Sequence, residues 1–460
     1  MNSTLHKLSL AALVALPLLH ACGGSTSNST GSGSVRLVNA TSEYASLDLI
    51  GPSGNGVSTG VVPFIPGSYG GVDAGTPTLS FKDTNTGVTV APPVSYAIGK
   101  DTSYSVVAYV SPEGVLTGAL LGESEAAPTT AGRAKLRIYN TIYNRTVPND
   151  TDKLDAYVAT TNCADPAAIK VAGGTPPLSS FVEIPATATG TTYHVCITGT
   201  GTSDRSDLRL DVPALTLKDQ QITTLVLTPT PGGVLINGVQ VNQQGAVTAQ
   251  KNLSARVRLV ADAAGGGNVS VDVGGTPFTP LPSPKDSVYV LVPASTSGVL
   301  ASARINGGPA ATASVTPAPG TDLTLLVTGT TAAPVITPIA DNNRPSTNAA
   351  APVKVRVVNG INGLPAGSGI DLSVNNLLAA SNVLFRNAST PVTTTATTAA
   401  AASSYQVTST TPVLVNGAAP ASTSVVKASG SDAVLTAGKV YTVFVLGDVN
   451  NVTSVLRQDH

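Results

Sequence analysis

The sequence predicts an all-β protein: four tandem Ig-like antiparallel β-sandwich domains behind an N-terminal signal peptide and a flexible tether. Three observations carry the fold prediction. Short runs of β-branched residues alternate with polar ones and are punctuated by turn residues, among 45 Gly and 33 Pro, at the 8–12-residue spacing of sandwich strands. One motif returns at a period of about one domain. No segment sustains the 3.6-residue periodicity of an amphipathic helix.

The motif opens each unit. It reads Val35-Arg36-Leu37-Val38-Asn39, then Leu136-Arg137-Ile138-Tyr139-Asn140, Val257-Arg258-Leu259-Val260 and Val355-Arg356-Val357-Val358-Asn359. Downstream of each Arg an Asp sits between strand formers: Asp48, Asp155, Asp272 and Asp371. Each unit closes on a β-rich run, at 104–110 (YSVVAYV), 222–227 (ITTLVL), 323–327 (LTLLV) and 440–446 (VYTVFVL). Asn-Gly pairs, such as Asn55-Gly56 and Asn306-Gly307, suit tight hairpin turns with positive φ. Seven strands per unit follow by analogy with Ig sandwiches. The unit boundaries fall at 34–129, 130–250, 251–350 and 351–460, with loosened composition at 125–132, 243–252 and 342–352. Residues 387–426 carry no charge and read as a long, partly disordered insertion. The repeated Arg is expected on the solvent face or paired across strands with the repeated Asp.

The first 21 residues divide as an export signal does. Lys7 precedes an apolar stretch at 8–19 that is too short to cross the ~30 Å hydrocarbon core of a bilayer. The segment Leu19-His20-Ala21-Cys22-Gly23-Gly24 resembles the lipobox of bacterial lipoproteins, which implies lipidation at Cys22 and, with Gly23 after it, sorting to the outer membrane. Multiple acyl chains hold a protein stably where one chain does not. Residues 22–33, rich in Ser and Gly, read as the lipidated Cys and a flexible tether. The expected location is the outer membrane, facing the periplasm or the cell surface.

The opening V-R-V-V-N, the later x-D-x-x-x-G, residues 71–76 (GVDAGT) and residues 435–443 (LTAGKVYTV) resemble the bacterial family called domain of unknown function 4397. The resemblance covers nearly all of the chain beyond the tether. It implies tandem modules in secreted or lipid-anchored envelope proteins, and it supplies no activity.

Composition excludes one class of partner. Charged residues make up 11% of the chain and balance to a net −1, against about 25% in ordinary globular proteins. Nucleic acid is therefore not an expected partner. Cys163 and Cys196 fall in one unit, 33 residues apart, in a compartment that favours oxidation, so a disulfide is expected. A Cys196–His194 thiolate–imidazole pair is the catalytic alternative. Asp150, Asp152 and Asp155 form a weak candidate calcium loop with Lys153 among them, and no other metal site and no cofactor are expected. Gly56-Val57-Ser58-Thr59-Gly60 fits the nucleophile-elbow pattern but lies in a loop-like context without a helix to follow. The expected function is a non-enzymatic, lipid-anchored envelope protein presenting its modules for binding, adhesion or spacing, toward an unknown protein or glycan ligand. A polysaccharide-binding surface lipoprotein is the alternative. The chain lacks Trp, the residue best suited to sugar platforms, so Tyr69, Tyr109, Tyr143 and Tyr193 would have to serve. A hydrolase is the third reading.

Overall fold

The fold is that of a computed structural model, which describes residues 31–460 apart from 42, 112–113, 143–152, 175–176, 201–204, 347, 349, 397–403, 410–423 and 430–433. The export segment, Cys22, Tyr143, Asp150 and Asp152 lie outside the described residues.

Strands alone build the described chain, and their pattern is set by the first unit. It comprises β1 (Ser32–Asn39), β2 (Leu47–Ile50), β3 (Gly56–Val61), β4 (Gly70–Asp73), β5 (Thr78–Asp83), β6 (Val94–Ser95), β7 (Ser103–Val110) and β8 (Leu116–Gly122). They form two sheets, β4-β1-β7-β8 and β3-β2-β5-β6. Alternation turns Val35 and Leu37 of β1 inward, where they meet Leu47, Leu49, Phe81 and Val106 in a dry core between the sheets. Three further cores repeat this arrangement along the chain.

In every unit the opening strand runs parallel to the closing β-rich run. Ser32–Asn39 pairs with Ser103–Val110, Arg133–Asn140 with Ile222–Pro229, Ser254–Ala263 with Asp322–Gly329, and Val353–Asn359 with Val440–Asp448. This strand order differs from that of an immunoglobulin sandwich, where the first strand lies in a sheet with the second. The seven-strand expectation is amended accordingly: among the described residues the first and fourth units have eight strands, and short extra edge strands appear in the second and third. Turn signals reveal hairpins between neighbouring strands, whereas a parallel pair joined through a whole domain leaves no local signal.

Two other expectations change. Of the uncharged stretch 387–426, residues 397–403 and 410–423 lie outside the described residues; the rest contributes Val392–Thr394, Ser404–Ser409 and the start of Ser424–Ser429 to the fourth sandwich. Tyr405 and Val407 alternate into that core. Of the Asn-Gly pairs among the described residues, only Asn306-Gly307 has positive φ at both positions, +50° and +71°. Asn237-Gly238 lies within a strand, Ile236–Asn242.

The sandwiches are stacked in pairs. On β1 the residues that point away from the home core are also covered. Val38 and Val107 of the first unit pack against Val226, Val239 and Val241 of the second. Val260 and Leu326 of the third pack against Val358, Phe444 and Leu446 of the fourth. Each pair thus meets through the sheets that hold the opening strands. Both faces of those sheets are buried, which is why their strands read as near-continuous apolar runs.

The two pairs also touch. The turn at Thr230–Val234 of the second unit docks against the third, with Gly232 N–H donating to Gly320 O at 3.0 Å and Asn343 N–H donating to Gly232 O at 3.0 Å. The approach requires glycine: a Cβ on Gly233, at φ +94°, would lie 2.4 Å from the Arg344 amide nitrogen.

Candidate functional site

The repeated Arg does not sit on a solvent face. Arg36, Arg258 and Arg356 are each at most 3% exposed, because the outward face of the opening strand is the face the neighbouring sandwich covers. Its partner is likewise not the repeated Asp. In every unit Nε donates to a hydroxyl at the paired position on the parallel strand: Arg36 to Ser105 (2.8 Å), Arg137 to Thr224 (2.9 Å), Arg258 to Thr324 (2.8 Å) and Arg356 to Thr442 (2.9 Å). Parallel register places Arg and hydroxyl side by side on one face.

A fourth repeated position completes the site. The residue after or ending the strand that follows the closing run is Glu123, Gln243, Asp341 or Asp459. Glu123, Gln243 and Asp459 dock their amides on the carbonyls of Ser103, Ile222 and Val440, two residues before the hydroxyl partner in each case. Asp341 stands opposite Asp322 in the equivalent register.

Between the third and fourth sandwiches the charges are exchanged. Arg258 pairs with Asp459, and Arg356 pairs with Asp341 (2.5 Å). The carboxylates accept further bonds from Thr442, Thr324 and Tyr289. Arg256 and Asp322 add a bidentate pair at the edge, with Asn343 donating to Asp322 at 2.7 Å. Burial pushes the Asp341 carboxyl up, but the guanidiniums of Arg356 and Arg258 outweigh it and hold the group below its ordinary value. Burial raises Asp322 despite Arg256 beside it. Three guanidiniums face three carboxylates, so the interface is neutral, and its polar atoms are largely satisfied, as buried ions require.

Between the first and second sandwiches the same positions are less charged. Arg36 pairs with Glu123 of its own unit (2.8 Å) and reaches across to the carbonyls of Gly245 (2.7 Å) and Asn242 (3.0 Å). Gln243 replaces the acid and exchanges two hydrogen bonds with the Glu125 backbone, at 3.1 and 2.9 Å. Arg137 lies over the Phe181 ring, 4.4 Å from its centroid.

The repeated Asp serves a different end. Asp48, Asp155, Asp272 and Asp371 each accept a backbone N–H, from Gly60, Gly174, Gly275 and Asn382 respectively. They fasten the turn or strand that follows. Asp155 is also paired with Lys170 at 3.0 Å, so this member of the candidate calcium loop already has a protein cation as its partner.

Cys163 and Cys196 form a disulfide, with Cα atoms 5.5 Å apart. The sulfur of Cys196 is therefore not a thiolate beside His194, whose Nδ1 is 3.1 Å from Asp211. Ser58 lies on β3, 3% exposed, and its Oγ has no partner among the described residues; it belongs to a different sandwich from His194. Tyr193 is buried with its hydroxyl on Pro185 O. Tyr69 keeps part of its ring exposed, with Arg36 on one face and Glu123 on its hydroxyl.

Two clefts open where the pairs of sandwiches meet. One, of about 270 Å³, lies among the first three units beside Phe64, Lys251 and Arg344. The other, of about 130 Å³, lies between the second unit and the third–fourth pair and is lined by Lys153, Asp207, Arg209, Arg344, Lys439 and His460 among others. No helix among the described residues is long and apolar enough to cross a membrane.

No family model and no curated protein matches the chain. Among solved structures it is similar to the Bacillus anthracis TIE protein, at 9% identity over 91% of this chain and 69% of that one, with a TM-score of 0.14. It is also similar to ligand-free PulA from Klebsiella pneumoniae, at 10% identity over 63% of this chain and 31% of that one, with a TM-score of 0.13.

Proposed function

We propose that the chain is a non-enzymatic, lipid-anchored envelope protein whose four sandwiches form one fixed body that presents a binding, adhesion or spacing surface. The observation that carries this reading is the exchange of Arg258 and Arg356 with Asp459 and Asp341. The repeated charged residues serve to lock successive modules together, and a tandem array so locked holds its outer faces at set positions. The lipobox-like segment ending at Cys22 and the resemblance to domain of unknown function 4397 supply the anchor and the envelope setting.

Labelling of cells with radioactive palmitate, followed by protease treatment of intact and permeabilised cells, tests the reading. Wild-type protein is expected to take up label and the Cys22→Ser variant to lose it. Digestion on intact cells assigns an outward-facing body for adhesion; protection until permeabilisation assigns a periplasmic spacer or scaffold. An unlabelled protein released in soluble form would overturn the anchor and the function built on it.

A further inference from the structure

We infer that the cleft between the second sandwich and the third–fourth pair is a binding site for a small anion, a phosphate or carboxylate group. Among the described residues, four cationic side chains, Lys153, Arg209, Arg344 and Lys439, line it with one acidic side chain, Asp207; Lys439 has an interaction of its own. The chain has only 25 Lys and Arg in 460 residues, so four around one cleft is a local concentration of charge in an otherwise charge-poor protein.

The Asp207 carboxylate is already committed. Asp207 holds Arg209 through both oxygens, at 2.7 and 2.8 Å, which neutralises that pair; Arg344 and Lys153 are the lining cations with no counter-ion among the described residues. Arg344 is fixed by its Nε, which donates to Thr230 O at 3.1 Å. Its two η nitrogens meet no acceptor among the described residues, and neither does the Lys153 ammonium. The imidazole of His460 is oriented by Nδ1, 2.8 Å from Asn343 O; a carbonyl only accepts, so that nitrogen carries the proton.

The site is built rather than incidental. Its walls come from two separate pairs of sandwiches, and the close approach at Gly232, Gly233 and Gly320 fixes them against each other. Like charges gathered in a confined, partly desolvated space repel unless an anion joins them. A planar guanidinium with both η nitrogens unoccupied suits the paired oxygens of a phosphate or carboxylate. At about 130 Å³ the cleft admits a single headgroup and is well below the ~300–1,000 Å³ of sites for larger organic ligands. Domain junctions are favoured places for such sites. The inference is independent of the lipid anchor.

Isothermal titration of the purified full-length protein with sodium phosphate and, separately, sodium glucuronate at low ionic strength tests it. Saturable binding is expected for at least one, weakened on the order of tenfold by Lys153→Gln and by Arg344→Gln, the effect of losing one charge-assisted contact. Lys153 is exposed and its ammonium has no hydrogen-bond partner among the described residues, so K153Q leaves the fold intact even if R344Q loosens the Thr230 contact; Arg344→Lys should recover part of the affinity. Preference for phosphate assigns a tetrahedral anion and preference for glucuronate an acidic sugar, both within the inference. No saturable binding of either, or equal binding by wild type and the K153Q/R344Q double variant, overturns it.

Discussion

Arg258 of the third sandwich and Asp459 of the fourth form an ion pair with both side chains at most 2% exposed. Its reciprocal, Arg356 with Asp341, crosses the same interface in the opposite sense. The two sandwiches therefore meet as a pseudo-symmetric pair, each giving a guanidinium and receiving one. Such an interface rejects incomplete partners, because either half alone leaves a buried charge without its counter-ion.

Breaking the pair from one side should show this. Arg258→Met leaves Asp459 buried and unpaired, and about 3–5 kcal/mol of stability is expected to be lost. Arg258→Met with Asp459→Leu removes both charges and should recover a large part. Urea unfolding of the three proteins measures it. Equal losses in the single and double variants would mean that the pair contributes only its packing.

The sandwich class, the four-fold repeat and the disulfide were all legible in the sequence, because alternation, period and cysteine spacing are local or countable. The place of the Arg was not. Val35-Arg36-Leu37-Val38-Asn39 reads as an alternating strand with Arg outward, and the outward direction is right. What covers that face is another module, and one strand does not reveal its neighbour. A signal was present in the closing runs: SVVAYV and VYTVFVL are apolar on both faces, which a sheet with one wet face does not need. Of the acids that answer the Arg, Glu123 and Asp459 lie 87 and 201 residues along the chain from their partners; Asp341, 15 residues before Arg356, belongs to the preceding unit, and no short motif joins them. The anion cleft draws on three units and has no signature in any one of them.

The disulfide closes a loop with a sequence separation of 33, and the chain-entropy account assigns such a loop about 3–4 kcal/mol. Cys163→Ala with Cys196→Ala should lower the stability of the second sandwich by that order and leave the third–fourth pair folded. Hydrogen exchange followed by mass spectrometry resolves the two. Loss of protection throughout the chain would show instead that the second sandwich underpins the whole body.

Gly233→Val places a Cβ within 2.4 Å of the Arg344 amide at a φ of +94°, a conformation that β-branched residues avoid. The second sandwich has its own core, so the expected outcome is separation of the two pairs without unfolding of either. Small-angle X-ray scattering should then report a larger radius of gyration while circular dichroism stays the same. An unchanged radius would show that the remaining contacts hold the pairs together.

Asp262 gives the third–fourth interface a pH dependence opposite to that of Asp341 in its pair with Arg356. Its side chain is fully buried. Oδ1 accepts the Gly447 N–H at 2.7 Å, while Oδ2 has no partner and lies against Gly360, where a Cβ would come within 2.4 Å of it. Burial raises this carboxyl well above its ordinary value, and the nearby Asp448 adds to the rise. The sign follows from proton counting. Between the unfolded value near 3.9 and the raised folded value, the native state binds the extra proton, so stability falls as pH increases through that window. Asp341, held low by Arg356 and Arg258, acts the other way: its contribution is present above the unfolded value and is lost as pH falls through the folded one. Asp262→Asn keeps an oxygen for Gly447 and cannot ionise. Relative to wild type it should gain stability as pH is raised from about 4.5 to about 8, while Asp341 and Asp322 respond alike in both proteins and cancel in the difference. Urea midpoints at the two pH values measure the effect; a wild-type-minus-variant difference that does not change with pH would show that Asp262 is ionised in the folded protein across the range.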